Sequence, residues 1–240
     1  MLDQLPVEEV LFLDIETVPL VSGYEALTAE WQKLWDDKMK NQVSENTSSA
    51  ELYPRAGIYA EFGRIIVISA GYLHQKKGEW YYRVKSFADP DEKKLLSDFC
   101  QALERFEKVG KKRLCAHNGQ EFDFPWIARR LLVHQLELPK VLDIAGAKPW
   151  EVKELLLDTL QLWKFGDFKH YTSLALLCAL FGIPTPKDDI DGSQVAHVYY
   201  VEKDLDRIIR YCEKDTLAVA NLLLRYKGKE IVQVENMESV

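Results

Sequence analysis

The stretch that decides the fold is the N-terminal run Val10-Leu11-Phe12-Leu13-Asp14-Ile15-Glu16-Thr17. Its first four residues are apolar and predict a short buried strand. Asp14 and Glu16 end this run, and they share a face because side chains alternate along a strand. Two such carboxylates repel each other and are costly to desolvate. A divalent cation would relieve both effects because hard cations take oxygen ligands. The alternative is a strand end in solvent, where acids are harmless.

The composition is that of an ordinary globular protein. The chain has 240 residues, 47% of them hydrophobic and 29% charged, so it can bury a sizeable core. The formal net charge of −7 argues against a protein that coats nucleic acid non-specifically, because such proteins neutralise phosphates with basic side chains. An enzyme that holds a nucleic-acid end through metal ions remains possible, since the ions supply positive charge locally.

The cysteines and the N-terminus indicate a reducing compartment. No cysteine belongs to a CxxC pair, and each lies in an apolar or helical context, so we expect buried free thiols. The four are Cys100, Cys115, Cys178 and Cys212. The first residues lack the basic and apolar regions of a signal peptide, and no apolar run approaches membrane-spanning length. We therefore expect a cytoplasmic protein without a membrane segment.

Two Ile-, Val- and aromatic-rich runs predict a β-hairpin after the first strand. Residues 64–73 form the first of these strands, which Gly71 and the turn at residues 74–78 should end, and residues 80–87 form the second. Residues 114–116 predict another short buried strand. Residues 155–159 indicate a short buried segment that leads into a capped helix.

Apolar spacing and capping residues predict the helices. Asp89 as N-cap and Pro90 at the first helical position should begin one helix, and Gly110 should stop it. Further helices are expected at residues 121–133, 174–181, 193–200 and 205–226. This order of strands and helices predicts an α/β protein with a mixed sheet of about five strands and helices packed on it. We expect residues 1–228 to form a single domain.

Two segments fall outside this regular pattern. Residues 21–63 interrupt the chain after the first strand and contain an amphipathic segment with Leu27, Trp31, Leu34 and Trp35 at helical spacing. This insertion begins beside Asp14 and Glu16, so it could cover them, or it could be a surface decoration. The tail, residues 229–240, is expected to be disordered.

Acids in suggestive settings occur in two further stretches. Residues 117–123 read His-Asn-Gly-Gln-Glu-Phe-Asp and place Asp123 in the first turn of a helix, where backbone dipoles alone would favour a carboxylate. Tyr211 and Asp215 lie four residues apart on a helix and share a face that points partly toward the core. A buried Asp needs a partner, which could be a metal or, as is common in purely structural settings, a tyrosine hydroxyl.

The order of the three stretches carries more information than any one of them. D-x-E near the start, HN-x₄-D in the middle and Y-x₃-D on a late helix resemble the DEDD superfamily of 3′–5′ exonucleases, the DnaQ-like group with a ribonuclease H-like fold. Tyr211, four residues before Asp215, resembles the DEDDy branch. The sequence of residues 187–195 resembles that of a bacterial subgroup related to the proofreading domain of family B DNA polymerases. The resemblance runs from about residue 8 to residue 226.

The resemblance implies a site with two divalent metal ions, Mg²⁺ or Mn²⁺. Asp14, Glu16 and Asp215 would hold the tighter ion, and Asp14 would bridge to the second. Asp123 would hold the second ion, in part through water. The resemblance also implies a ribonuclease H-like mixed sheet with helices packed on both faces.

Three further residues receive roles from the same resemblance. Tyr211 would orient the attacking water, because an unperturbed phenol with a pKa of about 10 is a poor base at neutral pH. The backbone around Thr17 would meet the terminal nucleotide, and Asn118 would contact the substrate. His117 is expected to support the turn, not to bind metal. A base-stacking role for Trp126 or Phe122 is possible.

The implied activity is hydrolysis of phosphodiester bonds at the 3′ end of single-stranded DNA, with release of nucleoside monophosphates, in DNA repair or proofreading. One alternative is an exoribonuclease that trims RNA, because discrimination rests on contacts to the sugar 2′ position. A second alternative is a catalytically silent module that binds nucleic acid. The remaining acids of note are expected to be surface or cap residues: Asp143, Asp158, Asp204 and Asp206.

Overall fold

The protein is built on one mixed six-stranded sheet. A computed structural model describes residue 2 and residues 5–110, 113–167, 171–184 and 189–240. The strands are β1 (Val10–Pro19), β2 (Gly63–Lys76), β3 (Glu79–Phe87), β4 (Arg113–Ala116), β5 (Leu156–Asp158) and β6 (Met237–Ser239). Their order in the sheet is β5-β4-β1-β2-β3-β6. β1 therefore lies near the centre, antiparallel to β2 and parallel to β4.

The described residues form nine α-helices around this sheet. They are α1 (Ala29–Met39), α2 (Ser49–Leu52), α3 (Glu92–Lys108), α4 (Asp123–Val133), α5 (Pro149–Leu155), α6 (Thr159–Lys164), α7 (Leu174–Phe181), α8 (Val195–His197) and α9 (Leu205–Tyr226). The bounds of α7 and α9 are those predicted from sequence, whereas α5 was not predicted. Within the described part of the chain, no helix combines the length and apolar content needed to cross a membrane.

Alternate side chains of β1 pack into two different cores, one on each face of the sheet. Leu11, Leu13 and Ile15 pack in one cluster with the buried stripes of α3 and α4. Val10 and Phe12 pack on the opposite face of the sheet with the apolar residues of α9. Helices therefore cover both faces, as predicted. Because side chains alternate along a strand, Asp14 and Glu16 follow Phe12 toward the α9 face.

Strand β1 is longer than the sequence suggested. It continues through Asp14 and Glu16 to Pro19, so the two acids lie inside a strand and not at its end. The pairing with β2 shifts just beyond them: Glu16 lies opposite Val67, whereas Thr17 lies opposite Ile65. Ile66 is thus an extra residue on β2. Such a bulge increases the local twist and commonly occurs next to functional sites, where it re-aims side chains.

The prediction that Gly71 ends a strand is wrong. Gly71 pairs with Phe12 on one side and Val84 on the other, in the middle of β2. A Cβ at this position would lie 2.5 Å from the ring of Tyr82, so glycine is needed for close packing. The hairpin turn is Lys77-Gly78, whose positive φ angles of 52° and 86° are those of the tight turn that connects twisted antiparallel strands.

The start of α3 also differs from the prediction. The helix begins at Glu92, and its N-cap is Asp91, whose side chain accepts a hydrogen bond from the Lys93 backbone at 2.9 Å. Asp89, the predicted cap, accepts instead from the Asp91 backbone and shapes the preceding turn. Two aspartates flank Pro90, and the one closer to the helix takes the capping role.

The insertion has a small core of its own. Its buried side chains come from α1, α2, the 3₁₀ turn at Tyr53–Ile58 and the residue before β2: Trp35, Met39, Leu52, Tyr53, Ala56 and Phe62. The indole of Trp35 donates a hydrogen bond to the Ser49 carbonyl at 2.7 Å. The hydroxyl of Thr17 donates to the Gly57 carbonyl at 2.6 Å and joins this unit to β1 beside the acids.

The expected disorder of residues 229–240 is wrong. The segment places Val232 in the core, and β6 then pairs in parallel with β3. Glu238 accepts hydrogen bonds from the Arg83 guanidinium at 2.8 and 3.0 Å. The reason is tertiary: without β6, β3 would be an edge strand with unpaired backbone groups, and the tail covers this edge. This pairing also raises the strand count from the expected five to six.

Candidate active site

The centre of the candidate site lies between β1 and α9. Asp14, Glu16 and Cys212 each offer a ligand atom, and these three atoms lie within 4.8 Å of one another. The Cys212 thiol lies 3.4 Å from both the backbone carbonyl and Oδ2 of Asp14, to which it can donate. Sequence analysis treated Cys212 only as a buried thiol. Its position three residues before Asp215 on the same helix was the signal that it would lie at the site.

Helix α9 supplies the tyrosine and the last aspartate from one turn. Tyr211 and Asp215 are both buried, and the Tyr211 hydroxyl donates a hydrogen bond to Asp215. Burial, followed by the negative charges of Asp215, Glu16 and Asp14, raises the pKa of Tyr211 well above its usual value. A phenol in this setting keeps its proton, so it is suited to orient a water molecule and not to act as a base.

Asp123 approaches the strand from the first turn of α4. Its Oδ1 accepts a hydrogen bond from the Ile15 backbone N–H at 3.2 Å, between the two acids of β1. Burial raises the pKa of Asp123 to about 7, and the charges of Asp158 and Asp215 act in the same direction against two backbone hydrogen bonds. Asp123 is therefore held to β1 through the backbone, close to the other carboxylates.

The four carboxylates repel one another strongly. Burial is the first cause of the raised pKa of Asp14, and the charges of Asp215, Glu16 and Asp123 follow. The pKa of Glu16 is raised by burial and then by Asp215 and Asp123. The structure thus brings together Asp14, Glu16, Asp123, Tyr211 and Asp215, which are distant in sequence. Converging carboxylate oxygens are the donor set that Mg²⁺ and Mn²⁺ prefer.

A buried aspartate shapes the turn that follows β4. Asp158 accepts hydrogen bonds from the backbone N–H groups of Asn118 at 2.9 Å and Gln120 at 3.1 Å, and it also caps α6 through Leu160. Asp158 was predicted to be a surface or cap residue. It is a cap residue, but it is buried and not on the surface. The bonds hold Asn118 in a left-handed conformation with φ of 62°.

The side chains of Asn118 and His117 differ in their hydrogen bonding. The buried amide oxygen of Asn118 has no hydrogen-bond partner among the described residues, so it could accept one from a substrate. His117 Nε2 donates to the Thr172 carbonyl at 2.9 Å, which leaves Nδ1 to accept from the Thr159 hydroxyl at 2.9 Å. Both ring nitrogens of His117 are therefore engaged by the protein, as expected for a residue that supports the turn.

Of the two aromatic residues considered for base stacking, Trp126 is buried and Phe122 is half-buried. Trp126 is 1% exposed, and its indole N–H donates to the Ile58 carbonyl at 3.3 Å. The half-buried ring of Phe122 packs against Trp126. Stacking by Trp126 is thus excluded by its burial. Sequence analysis missed a different aromatic residue, Tyr171, because only the folded chain brings it beside His117.

The stretch at residues 187–195, which contributed to the resemblance, is described only from residue 189 onward. Asp189 accepts hydrogen bonds at 2.7 Å from Nε and Nη2 of Arg207, near the start of α9. Arg207 also binds Glu202. This loop is therefore fastened to the helix that carries Tyr211 and Asp215.

Comparison with known proteins gives two findings. Residues 58–234 match the model of a family described as predicted 3′-5′ exonucleases related to the exonuclease domain of PolB. This range contains Asp123, Tyr211 and Asp215, whereas Asp14 and Glu16 precede it. The fold resembles that of the family B DNA polymerase from the hyperthermophilic archaeon Pyrobaculum calidifontis, with a TM-score of 0.54 and 14% sequence identity.

The structural match covers 91% of this chain but 24% of the polymerase chain, so this chain spans about a quarter of that polymerase. At this identity the match shows the fold alone, a ribonuclease H-like α/β fold. The family match is broader evidence because it includes well over half of the residues. The chain therefore belongs to the family of predicted 3′-5′ exonucleases related to the exonuclease domain of PolB.

Proposed function

We propose that the protein is a metal-dependent 3′–5′ exonuclease that hydrolyses single-stranded DNA from its 3′ end and releases nucleoside monophosphates. The observation that supports this most is the convergence of Asp14, Glu16, Asp123 and Asp215 around one buried point, with Tyr211 hydrogen-bonded to the last of them. The chain also belongs to a family of predicted exonucleases. The proposal includes a role in DNA repair or proofreading in the cytoplasm.

The four acids fit a pair of divalent ions, Mg²⁺ or Mn²⁺. Asp14, Glu16 and Asp215 would hold the tighter ion, Asp14 would be shared, and Asp123 would face the second. Their raised pKa values reflect burial first and mutual repulsion second, and bound positive charge would favour the ionised forms against both. When bound, such ions activate a water molecule as nucleophile and offset the charge of the phosphodiester.

The remaining residues of the site would position the substrate and the water. The Tyr211 hydroxyl, which keeps its proton, would orient the attacking water through the hydrogen-bond network it shares with Asp215. The Asn118 amide would bind the terminal nucleotide, and the backbone at Thr17 would meet it from the other side. Thr17 is suited to this because the bond from its hydroxyl to Gly57 fixes the strand there.

The net charge of −7 bears on how the protein would bind DNA. Acidic side chains outnumber basic ones by 38 to 31, so binding of the DNA 3′ end should depend on divalent ions more than on salt bridges. This distinguishes the proposed enzyme from a module that binds nucleic acid through its own basic surface, for which binding should persist in EDTA.

A labelled-oligonucleotide assay tests the proposal. Single-stranded DNA and RNA of equal sequence, each labelled at the 5′ end, are incubated with the protein in Mg²⁺, Mn²⁺ or EDTA. We expect stepwise shortening of DNA from the 3′ end that requires metal and is lost in Asp14→Ala. Asp98→Ala on the exposed face of α3 is the matched control and should retain activity.

The same assay separates the alternatives. Shortening of RNA with no effect on DNA would favour an exoribonuclease. Metal-independent binding of either strand without cleavage would favour a catalytically silent module. If the wild-type protein shortens neither substrate with any of the ions, the exonuclease proposal is wrong.

Tyr211→Phe tests the role of the hydroxyl separately from metal binding. The variant keeps the ring and all four carboxylates, so we expect turnover to fall by about 100-fold, within the range for a group that assists proton transfer or positions water. The Mn²⁺ concentration for half-maximal activity should change by less than about threefold. A large loss of metal affinity with unchanged saturated turnover would contradict the assigned role.

A further inference from the structure

An exposed aromatic ring lies beside the turn that carries Asn118. The rings of Tyr171 and His117 meet edge to face, with centroids 6.3 Å apart and an interplanar angle of 67°. The residue after Tyr171 is fixed to the same turn, because the Thr172 carbonyl accepts the hydrogen bond from His117 Nε2 at 2.9 Å. Two contacts therefore anchor this tyrosine to the turn that follows β4.

The charges of the acidic site act on Tyr171. Its pKa is raised by burial first and then by the charges of Asp123, Asp158 and Asp215, so these acids are its electrostatic neighbours. Yet 64% of the residue is exposed to solvent. Tyr171 thus lies within electrostatic reach of the acidic site while most of its surface is in water, an arrangement that packing of the core does not require.

The two other aromatic residues considered for base stacking are less accessible. Trp126 is fully buried, and Phe122 packs against it. A single strand bound in this site needs a flat apolar surface for its bases, since stacking on aromatic rings is the usual sequence-tolerant contact to unpaired nucleotides. Among the three, only Tyr171 has an exposed ring next to the Asn118 turn.

We infer that the ring of Tyr171 is the stacking platform for the 3′-terminal base, with Asn118 contacting the same nucleotide from the adjacent turn. This inference rests on the proposed function and extends it, because it assigns a substrate contact to a residue outside the three motifs. The contact is to the base and not to the phosphate. It should therefore contribute to substrate binding more than to the rate of the bound complex.

Two variants and two substrates test the assignment. Steady-state kinetics are measured for wild type, Tyr171→Ala and Tyr171→Phe on single-stranded DNA that ends either in a normal nucleotide or in an abasic 3′ residue. On the normal end, we expect Tyr171→Ala to raise KM about tenfold with kcat changed less than about threefold, as expected from loss of one stacked base. Tyr171→Phe keeps the ring and should behave like wild type.

The abasic substrate distinguishes stacking from a structural role. It has no base to stack, so wild type and Tyr171→Ala should show KM values within about twofold of each other. A variant that merely disturbs the turn would lose activity on both substrates. Trp150→Ala is the matched control, since Trp150 is another exposed aromatic residue, 62% accessible, with its ring against Lys148.

The outcomes separate this inference from the proposed function. If wild type cleaves DNA but Tyr171→Ala leaves KM unchanged, or lowers kcat equally on both substrates, the platform assignment is overturned. If wild type cleaves nothing, the exonuclease proposal fails. Fluorescence anisotropy with the same normal and abasic oligonucleotides in Ca²⁺ then decides the inference: a tenfold weaker Kd for Tyr171→Ala on the normal end alone supports it, and equal affinities overturn it.

Discussion

Two buried glutamates of this protein have opposite surroundings. Glu92, at the start of α3, is 5% exposed and accepts hydrogen bonds from the Arg130 guanidinium at 2.6 and 3.0 Å, His134 Nε2 at 2.9 Å and the Ile65 backbone at 2.7 Å. Glu16, in β1, is 7% exposed, and the charges acting on it are those of Asp215 and Asp123. Similar burial thus accompanies full compensation in one place and repulsion in the other.

The difference indicates what each carboxylate does. Glu92 joins α3, α4 and β2, and its positively charged partner is the Arg130 side chain. Arg130 also donates a hydrogen bond to the Ala60 carbonyl of the insertion. A buried charge that serves the fold is normally paired in this way. The charges known to act on Glu16 are negative, and after burial they raise its pKa further. A divalent ion from solution would offset these charges, which is consistent with a metal site.

Glu16→Gln should separate activity from stability most strongly. Loss of one charged ligand should lower the rate of DNA cleavage at least about 1000-fold, or about 4 kcal/mol in activation free energy. In EDTA at neutral pH the same change removes like-charge repulsion, so the free energy of unfolding should rise. Cleavage assays and urea titration measure the two quantities. Glu230→Gln, at an exposed position, is the control. If Glu16→Gln is less stable than wild type in EDTA, the contrast between a repelled Glu16 and a paired Glu92 is wrong.

Arg130→Met should show the opposite pattern. It leaves Glu92 buried without its main partner, so we expect a loss of about 3–5 kcal/mol in the free energy of unfolding. Cleavage per folded molecule should change little, because Arg130 binds Glu92 and not the site. The double variant Arg130→Met with Glu92→Met should recover part of the loss, since no unpaired charge remains. Urea unfolding measures the stability of wild type, the single variant and the double variant. Equal stabilities of wild type and Arg130→Met would contradict the contrast between Glu92 and Glu16.

The pH dependence of the metal-free protein gives a third test. Asp123 has a folded-state pKa of about 7 against an ordinary value of 3.8, so the folded state binds the proton more tightly. The stabilisation is therefore full below about pH 4 and is lost as the pH rises through about 7. In EDTA, Tm should increase on the order of 5 °C between about pH 8 and pH 6. Asp123→Asn should flatten this dependence, and a wild-type Tm that falls over the same range would contradict it.

Ser239→Ala should have the smallest effect. Glu213, on α9, is a third buried glutamate, and its Oε1 accepts hydrogen bonds from Ser86 at 2.8 Å and Ser239 at 2.9 Å. Loss of one hydroxyl donor should cost about 1 kcal/mol in the free energy of unfolding. Ser97→Ala on α3 is a control outside this network. A Ser239→Ala variant as stable as wild type would show that β6 contributes nothing through this bond.

Local patterns were sufficient for much of the fold. Apolar spacing predicted α7 and α9 to their observed ends, where the side chains of Ser173 and Asp204 cap their first turns and Gly182 follows α7. Burial of β1 and the hairpin of β2 and β3 also followed from composition. These elements carry their boundary signals within their own sequence, so they can be predicted without knowledge of the neighbours.

Other features depend on partners that the local sequence does not reveal. β6 forms because β3 offers an open edge, and Gly71 is required by the ring of Tyr82 across the strand pair. Asp158 looked like an ordinary cap, yet it binds a turn from a different strand. In the candidate site, the motifs predicted which acids converge. Tyr171 belongs to no motif, and only the folded chain places it there.

The alternation of β1 has a consequence for how this chain can vary in length. Asp14 and Glu16 face α9 because they are in phase with Phe12, while Leu11, Leu13 and Ile15 face the other core. A single-residue deletion within β1 would reverse this parity and direct acids into an apolar core. The adjacent insertion has its own core, so its loops can gain or lose residues at little cost. Tolerance to indels should thus change abruptly within a few residues of Pro19.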